Sequence, residues 1–386
     1  MRVLVALTYF SPHVSGLTIY TQRLTRALVE RGHQVTVLTS QYDRRLPREE
    51  VLEGVHVIRV PVAMRVSKGV IMPTIGLAAT AEVRKHDVLS LHLPQFDAAG
   101  ITLRGRLFGR PSVLTYHSDL RLPRGPVNWV AKQVVEVANR AAAGLADRIV
   151  AYTDDFASHS PFLSRYSAKT IVIPPPVSVL EVSQEQVAAF ARRHLDGSGP
   201  IIGMAARLAS EKGVEYLLQA LPLILARYPR AKVLFVGQHE GVLGESEYAR
   251  RLAPSLRRFR EYWRFLGILD PLEMGAFYRV CDVTVLPSIN STETFGLVQI
   301  ESMLCGTPVV ASNLPGVRQP VLRTGMGKVV PVKNAAILAE AILEILDNPE
   351  AYRGSQGAIA AEFAPDKTAA AYEAIFQELL ASRDLA

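Results

Sequence analysis

The chain has 386 residues, of which 49% are hydrophobic and 20% are charged, as in an ordinary globular protein of about two domains. No apolar run reaches the roughly 20 residues of a membrane-spanning helix, and two unpaired cysteines, Cys281 and Cys305, exclude a disulfide framework or zinc site and favour the reducing cytoplasm. The net charge is +7 without a nucleic-acid-binding motif, so nucleic acid is not an expected partner.

Positive charge is concentrated between Arg59 and Lys132. That window holds eleven Lys or Arg and four acidic residues, 11 − 4 = +7, which equals the net charge of the whole chain. One interpretation is scattered, solvated surface. The other is a basic face for a phosphorylated partner or an anionic membrane surface, which would make the protein peripheral on the inner membrane face.

Short apolar runs alternate with amphipathic stretches in the first half, a pattern that predicts a parallel sheet with crossover helices. The first helix follows Gly16, because apolar residues recur on one helical face as far as Leu28, and Gly32 ends it. The expected strands are Val3–Leu7, Val35–Leu38, Val55–Val60, Val88–Leu93, Ser112–Tyr116, Arg148–Ala151 and Thr170–Ile173.

Three prolines, Pro174 to Pro176, interrupt this pattern, and neither a strand nor a helix can run through them. We therefore place the domain boundary there, with a first domain of residues 1–175 and a second of residues 176–365. The same alternation restarts after the prolines. Two similar α/β halves predict two facing, Rossmann-like, doubly wound domains that bind ligands in the inter-domain cleft, at the carboxyl ends of their strands.

The second half has its own series of expected elements. Its strands are Ile201–Ala205, Lys232–Val236, Trp263–Leu266, Val283–Leu286, Val309–Ala311 and Lys328–Val330. Its helices are Gly213–Arg227, Glu245–Arg260, Pro271–Arg279, Phe295–Leu304, Ala335–Asp347 and Asp366–Ser382.

Two carboxylates, Glu293 and Glu301, lie on either side of a predicted helix start. The free amides of Phe295, Gly296 and Leu297 would face an anion there, and glycine lets it approach closely. A carboxylate on each side could accept hydrogen bonds from hydroxyl groups. Phosphate flanked by hydroxyl-rich groups describes a sugar nucleotide.

A second loop carries two cations, Arg207 and Lys212, between a predicted strand and a helix that opens at Gly213. Arginine can bind two phosphate oxygens at once, and lysine acts as a point charge, so the pair suits a diphosphate leaving group. The alternative is a strand–loop–helix turn with solvated basic residues.

Together these segments resemble the retaining glycosyltransferases of family 4, which have the two-domain GT-B fold. The resemblance extends over about residues 1–375. It is carried by the Arg-Leu-x-x-x-Lys-Gly loop at Arg207, the Glu-x7-Glu pair at Glu293, and the segments Tyr9–Gly16, Arg31–Thr39, Val113–Asp119 and Ala311–Val317. A C-terminal helix of about residues 366–386 is expected to pack back on the first domain.

The resemblance implies a role for each residue that matches the motifs. Arg207 and Lys212 would bind the diphosphate of a UDP- or GDP-sugar and stabilise the departing phosphate. Glu301 would bind the ribose hydroxyls, and Glu293 would contact the transferred sugar. The Phe295–Leu297 amides would hold phosphate and sugar hydroxyls.

In the first domain, Gly16 would let the diphosphate approach, and His117 would bond the sugar near the reacting carbon. The family often has Gly-Gly where this chain has Ser15-Gly16, and Ser15 could narrow the donor or acceptor side of that loop. His92 and Asp97, after an expected strand, are weaker candidates that could shape an acceptor pocket.

The implied reaction is retaining hexosyl transfer to a lipid, phosphosugar or glycan acceptor, with no cofactor besides the donor. Without an Asp-x-Asp pair, no metal is indicated, and the two cations can stabilise charge instead. The leaving phosphate would help deprotonate the acceptor, although a Glu293 nucleophile is an alternative. The competing functions are a sugar-nucleotide epimerase or phosphorylase, and an inactive sugar-nucleotide-binding relative.

Overall fold

The computed structural model describes residues 1–66, 69–120, 125–197 and 199–384. The chain folds into two compact units. The first comprises Met1–Pro176 together with a C-terminal segment that starts at Phe363, and the second comprises Val177–Glu362. The change of unit falls directly after the three prolines, which fix φ and lack the amide hydrogens that a strand or helix requires.

The first unit contains an eight-stranded, mostly parallel sheet in the order β10-β9-β8-β7-β1-β2-β4-β3. Its strands are β1 (Arg2–Ala6), β2 (Gln34–Gln41), β3 (Glu49–Leu52), β4 (Val55–Pro61), the separate hairpin strands β5 (Met64–Val66) and β6 (Gly69–Ile71), β7 (Val88–Leu93), β8 (Ser112–Tyr116), β9 (Arg148–Ala151) and β10 (Thr170–Val172). Its helices in the first segment are α1 (Gly16–Glu30), α2 (Ile75–Lys85), α3 (Ala98–Leu107), α4 (Pro126–Leu145) and α5 (Asp154–His159).

The helices of this unit cover both faces of the sheet. Helices α2, α3 and α4 each lead the chain in the same direction across the sheet, so right-handed crossovers place them on one face. Helix α1 leads the chain in the opposite direction and therefore lies on the other face. The C-terminal helix α14 (Pro365–Asp384) packs against α1. The central strands are mostly apolar, as burial on both sides requires: β7 is buried along its whole length, and β1 is buried except for Arg2 at its start.

The second unit contains a six-stranded parallel sheet in the order β13-β12-β11-β14-β15-β16. Its strands are β11 (Ile201–Ala205), β12 (Lys232–Val236), β13 (Trp263–Gly267), β14 (Val283–Leu286), β15 (Val309–Ser312) and β16 (Gly327–Val330). Its helices are α6 (Gln184–His194), α7 (Val214–Arg227), α8 (Ser246–Arg258), α9 (Pro271–Val280), α10 (Leu297–Leu304), α11 (Gln319–Thr324), α12 (Ala335–Asp347) and α13 (Gln356–Phe363).

The doubly wound α/β prediction is confirmed, and the differences from the expected elements are local. Helix α10 begins at Leu297 rather than Phe295, because Gly296 before it adopts the left-handed conformation, with φ 79°. The hairpin β5–β6 was not expected, since strands of three residues leave too little alternation to detect. Among the described residues, we find no helix with the length and hydropathy to cross a bilayer.

Candidate active site

The second unit has its strand-order reversal between β11 and β14, which lie side by side in the centre of the sheet. Loops that leave two such strands diverge to opposite faces, and the crevice at their carboxyl ends is the usual ligand site of doubly wound sheets. Residues 206–213 follow β11, and residues 287–296 follow β14. The cations and the first carboxylate identified from the sequence lie in these two loops.

The structure joins these loops directly. The ammonium of Lys212 donates to Oε2 of Glu293 across 2.5 Å, and both side chains are largely buried, at 20% and 15% exposure. The amide of Ile289 donates to the carbonyl of Glu211 at 3.0 Å. Opposite charges separated by 81 positions in the chain therefore form one rigid pair.

Gly213 allows this close approach. Its φ is 66°, and a Cβ built there would lie 2.1 Å from the carbonyl oxygen of Pro287. Any side chain would therefore separate the two loops, in addition to its strain at positive φ. Glycine is required by both backbone conformation and space.

Arg207 lies on the same loop as Lys212. Its guanidinium donates to Oε1 of Glu211 at 3.1 Å, which fixes the direction of the long side chain. The Arg207 side chain is 40% exposed, so its other N–H groups can reach an anion at this edge of the sheet.

The start of α10 is also fixed by contacts. Phe295 is buried, and its carbonyl accepts from Nε2 of Gln299 at 2.6 Å; the same amide group donates to the carbonyl of Val317 at 2.9 Å. A Cβ at Gly296 would lie 2.3 Å from a methyl carbon of Leu286. The amide of Gln299 already donates to the carbonyl of Gly296 at 2.9 Å, so the amides of Leu297 and Val298 are the donors that this helix start offers to an anion.

Glu301 lies within α10 and is 8% exposed. Its Oε2 accepts a hydrogen bond from the hydroxyl of Tyr278 on α9 at 2.8 Å. The sequence analysis missed this tyrosine, since a contact between two helices 23 positions apart has no local signal. The bond fixes one carboxylate oxygen and orients the other.

In the first unit, Gly16 is the first residue of α1. The Ser15 hydroxyl caps the helix by accepting from the amide of Thr18 at 3.2 Å. This cap explains the serine where family members often have a second glycine. The space where a Gly16 side chain would lie is open: apart from its chain neighbours and its own helix backbone, no atom of the described residues lies within 4 Å.

His117 lies just after β8 in a buried cluster of polar aromatic side chains. Its Nε2 is 2.8 Å from Nδ1 of His92, and its Nδ1 is hydrogen-bonded to the Tyr152 hydroxyl. His92, which belongs to β7 itself, is fully buried. Both ring nitrogens of His117 are hydrogen-bonded to protein groups in this structure. The ring can therefore bond a sugar only if one of these two hydrogen bonds breaks.

The hydrogen bonds around His92 fix its tautomer. The hydroxyl of Thr21 donates to the carbonyl of Leu17 at 2.9 Å, so its oxygen can only accept from Nδ1 of His92 at 3.4 Å. Nδ1 therefore carries the proton and donates to His117. The other ring nitrogen of His92, Nε2, is buried and has no hydrogen-bond partner among the described residues, a situation that costs a lone pair less than it would cost an N–H group.

Burial keeps both imidazoles neutral. It lowers the pKa of His92 to about 3, because the cation would lose its hydration. Burial first and the neighbouring His92 second lower the pKa of His117 well below its usual range. With His92 as donor, neutral His117 accepts at Nε2 and donates from Nδ1 to Tyr152. At the start of α3, burial raises the pKa of Asp97 to about 6.

The basic window does not form one solvated face. Arg59 is 2% exposed, forms an ion pair with Glu50 and donates to the carbonyl oxygens of Pro47 and Ser11 at 3.1 and 2.9 Å. It is therefore a structural residue, and counting it with the surface charges was wrong. Three further cations of the window lie outside the described residues: Lys68, Arg121 and Arg124.

Within the described part of the chain, no group of three or more His, Cys, Asp or Glu side chains is placed to hold a metal ion. The charges around the loops of the second unit are instead the paired Lys212 and Glu293, with Arg207 and Glu211 beside them.

Two family models match the chain. Residues 15–176 match the glycosyl transferase 4-like domain, and residues 187–358 match the glycosyl transferases group 1. A D-inositol 3-phosphate glycosyltransferase of Acidothermus cellulolyticus is 30% identical over 397 residues, covering 95% of this chain and 86% of the relative. A phosphatidyl-myo-inositol mannosyltransferase of Mycobacterium leprae is 28% identical over 359 residues, covering 90% and 88%.

Solved structures agree with the fold. HepE of Anabaena, in a complex with UDP-glucose, has a TM-score of 0.78 at 19% identity and covers 99% of this chain and 100% of its own. Sucrose-phosphate synthase of Thermosynechococcus elongatus has a TM-score of 0.76 at 21% identity, with 99% coverage of both chains. Two Rossmann-like units with these matches define a glycosyltransferase of the GT-B fold. The chain belongs to the family 4 type of these enzymes.

Proposed function

We propose that the protein transfers a hexose from a nucleotide-sugar donor, a UDP- or GDP-sugar, to a phosphosugar or lipid acceptor, with retention at the anomeric carbon and without a metal ion. The observation that carries this proposal is the pairing of the Arg207–Lys212 loop with the Glu293 loop at the carboxyl ends of β11 and β14. HepE, a relative in fold, has been solved with UDP-glucose.

In the proposed donor complex, Arg207 and Lys212 bind the diphosphate and stabilise the charge that grows on it as the glycosidic bond breaks. The free amides at the start of α10 add to this stabilisation. Glu301, oriented by Tyr278, accepts from the ribose hydroxyls. Glu293 exchanges its bond to Lys212 for hydroxyl groups of the transferred sugar, so that donor binding replaces an internal ion pair.

The proposed transfer follows a front-side path. The bond between the anomeric carbon and the phosphate oxygen breaks, and the acceptor oxygen attacks on the same face. The acceptor proton passes to the leaving phosphate, so no protein nucleophile is needed. We assign Gly16 to the approach of the diphosphate and His117 to the sugar, the latter after exchange of one hydrogen bond in its cluster.

The proposed acceptor class follows the relatives, which are named for D-inositol 3-phosphate and for phosphatidyl-myo-inositol. Both names contain a cyclitol with a phosphate ester, one soluble and one lipid-linked. A phosphorylated polyol is thus the shared chemistry, and a lipid-linked acceptor would bring the enzyme to a membrane.

A panel of UDP-, GDP- and ADP-sugars tests the donor. A true donor raises the melting temperature, since it binds only the folded chain. Incubation of that donor with inositol 3-phosphate or phosphatidylinositol, with and without EDTA, then tests transfer, and NMR of the product gives its anomeric configuration. No shift with any sugar nucleotide contradicts the donor assignment, an inverted product contradicts retention, and loss of turnover in EDTA contradicts metal independence.

A further inference from the structure

The outward side of α4 is unusual for a helix on a protein surface. Four of its large apolar side chains are strongly exposed: Trp129 at 63%, Val130 at 52%, Val134 at 45% and Val137 at 61%. A helix that packs on a sheet normally turns its apolar side inward and its polar side to water. Here apolar residues also occupy the outward side.

The exposed positions of α4 form one continuous stripe. They fall within about 140° of the helix circumference. They are Pro126, Trp129, Val130, Gln133, Val134, Val137, Arg140, Ala141 and Gly144. The buried residues Asn139, Ala142 and Ala143 lie on the opposite side, toward the sheet.

Helix α3 lies beside α4, and its Arg106 donates to the carbonyl of Leu145 at the end of α4 at 2.9 Å. It packs between α2 and α4 on the same face of the sheet, and exposes Leu103 at 46% and Leu107 at 71%. We use the name α3–α4 face for the six apolar residues Leu103, Leu107, Trp129, Val130, Val134 and Val137 together with the cations Arg106, Lys132 and Arg140. Exposed apolar side chains gathered on neighbouring helices in this way mark an interaction site.

The charges of the α3–α4 face are mostly positive. Lys132 and Arg140 lie on either side of Glu136, at 3.5 and 3.4 Å from its oxygens, and form a ladder along one edge of the stripe. Arg106 on α3 is exposed. Three cations and one acid give 3 − 1 = +2 for this surface.

We propose that the α3–α4 face docks on the surface of an anionic lipid bilayer. The apolar stripe would enter the headgroup boundary, Trp129 would anchor the amino-terminal end of α4, and the cations would meet lipid phosphates. A second copy of this chain fits less well, since a symmetric interface would bring two positive surfaces together. The inference rests on the proposed function in one respect only: docking would give the enzyme access to a lipid-linked acceptor.

Flotation of the 386-residue protein with vesicles tests the docking. At low salt, binding to phosphatidylglycerol-rich vesicles is expected and binding to pure phosphatidylcholine is not. The variant Val134→Glu/Val137→Glu should reduce the bound fraction about tenfold or more, because it places two carboxylates in the apolar stripe. The matched control is Leu223→Glu/Leu322→Glu in the second unit, where leucines of 50% and 62% exposure receive the same charge change.

Equal loss of binding in both double variants, or no binding by the wild type, overturns the proposal. So does a wild-type dimer that becomes monomeric only in Val134→Glu/Val137→Glu, because a second copy would then cover the stripe. Donor-induced thermal shifts of the same samples separate the two proposals. Failed flotation with an intact donor shift contradicts the docking alone, and flotation without any donor shift contradicts the proposed function alone.

Discussion

Lys212 and Glu293 form a direct ion pair, with Nζ 2.5 Å from Oε2, although the sequence suggested separate roles for them on diphosphate and on sugar. The pair neutralises two largely buried charges at the carboxyl ends of β11 and β14, where an unpaired charge would be costly. A bound donor that contacts both side chains would again provide each charge with a hydrogen-bonding partner. We therefore expect the ion pair to hold the two loops of the proposed site together in the absence of the donor.

The first prediction concerns this pair. Lys212→Ala and Glu293→Ala should each lower kcat by about 100-fold or more, because each removes a group that acts on the reacting part of the donor. The measurement is steady-state transfer with the donor identified by thermal shift. Lys328→Ala, which removes an exposed ion pair with Glu344 in the same unit, is the control and should leave kcat unchanged. Turnover near that of the wild type in either site variant would refute its role.

The second prediction concerns Glu301. Replacing it by Ala should raise KM for the donor about tenfold or more, with a smaller change in kcat, because the bond to ribose is equal in ground and transition states. Glu301→Gln keeps an acceptor for Tyr278 but loses the charge, so its effect should be intermediate. The affinities of the wild type and of Glu301→Ala should differ less for a 2′-deoxyribose donor analogue than they do for the natural donor. If Glu301→Ala discriminates between the two donors as strongly as the wild type does, Glu301 does not bind the ribose.

The third prediction contrasts two glycines. Gly296→Ala should destabilise the protein by about 2 kcal/mol or more, because it combines positive φ with a clash against Leu286. Gly16→Ala should leave thermal stability unchanged or slightly raised, since its surroundings are open and it lies in a helix. If Gly16 admits the diphosphate, the same change should raise KM for the donor. A wild-type KM for Gly16→Ala would remove that role.

The fourth prediction concerns His92 and pH. Its pKa is about 3 in the folded protein and near 6.5 in an unfolded chain. The unfolded state therefore binds more protons between these values, so stability rises with pH through this window and is lost on acidification. His117 acts in the same direction. Replacing His92 should make the melting temperature less dependent on pH between about 3 and 6.5.

Two replacements of His92 separate positioning from packing. Asn can place an amide donor where Nδ1 lies, so His92→Asn should retain the bond to His117 and most activity, whereas His92→Leu should lose both. In both variants the melting temperature should depend less on pH than in the wild type, because neither replacement side chain titrates. Equal activity in the two variants would show that the hydrogen bond to His117 does not matter for transfer.

The sequence by itself determined the doubly wound fold and most strand positions. Buried parallel strands are short apolar runs, and prolines and glycines end them, so the information lies within a few neighbouring residues. It also located the loops that carry Arg207, Lys212 and Glu293, because cations and carboxylates next to a helix start are a local pattern.

Only the tertiary structure decided which of these groups meet. The Lys212–Glu293 pair and the Tyr278–Glu301 bond join positions 81 and 23 residues apart, and strand order brings the first pair together. Burial likewise made Arg59 a structural residue, although its charge alone suggested a surface cation. Local sequence fixes the dihedral preferences and the hydrophobic period, whereas hydrogen-bond partners and solvent exposure depend on elements that are distant in the chain.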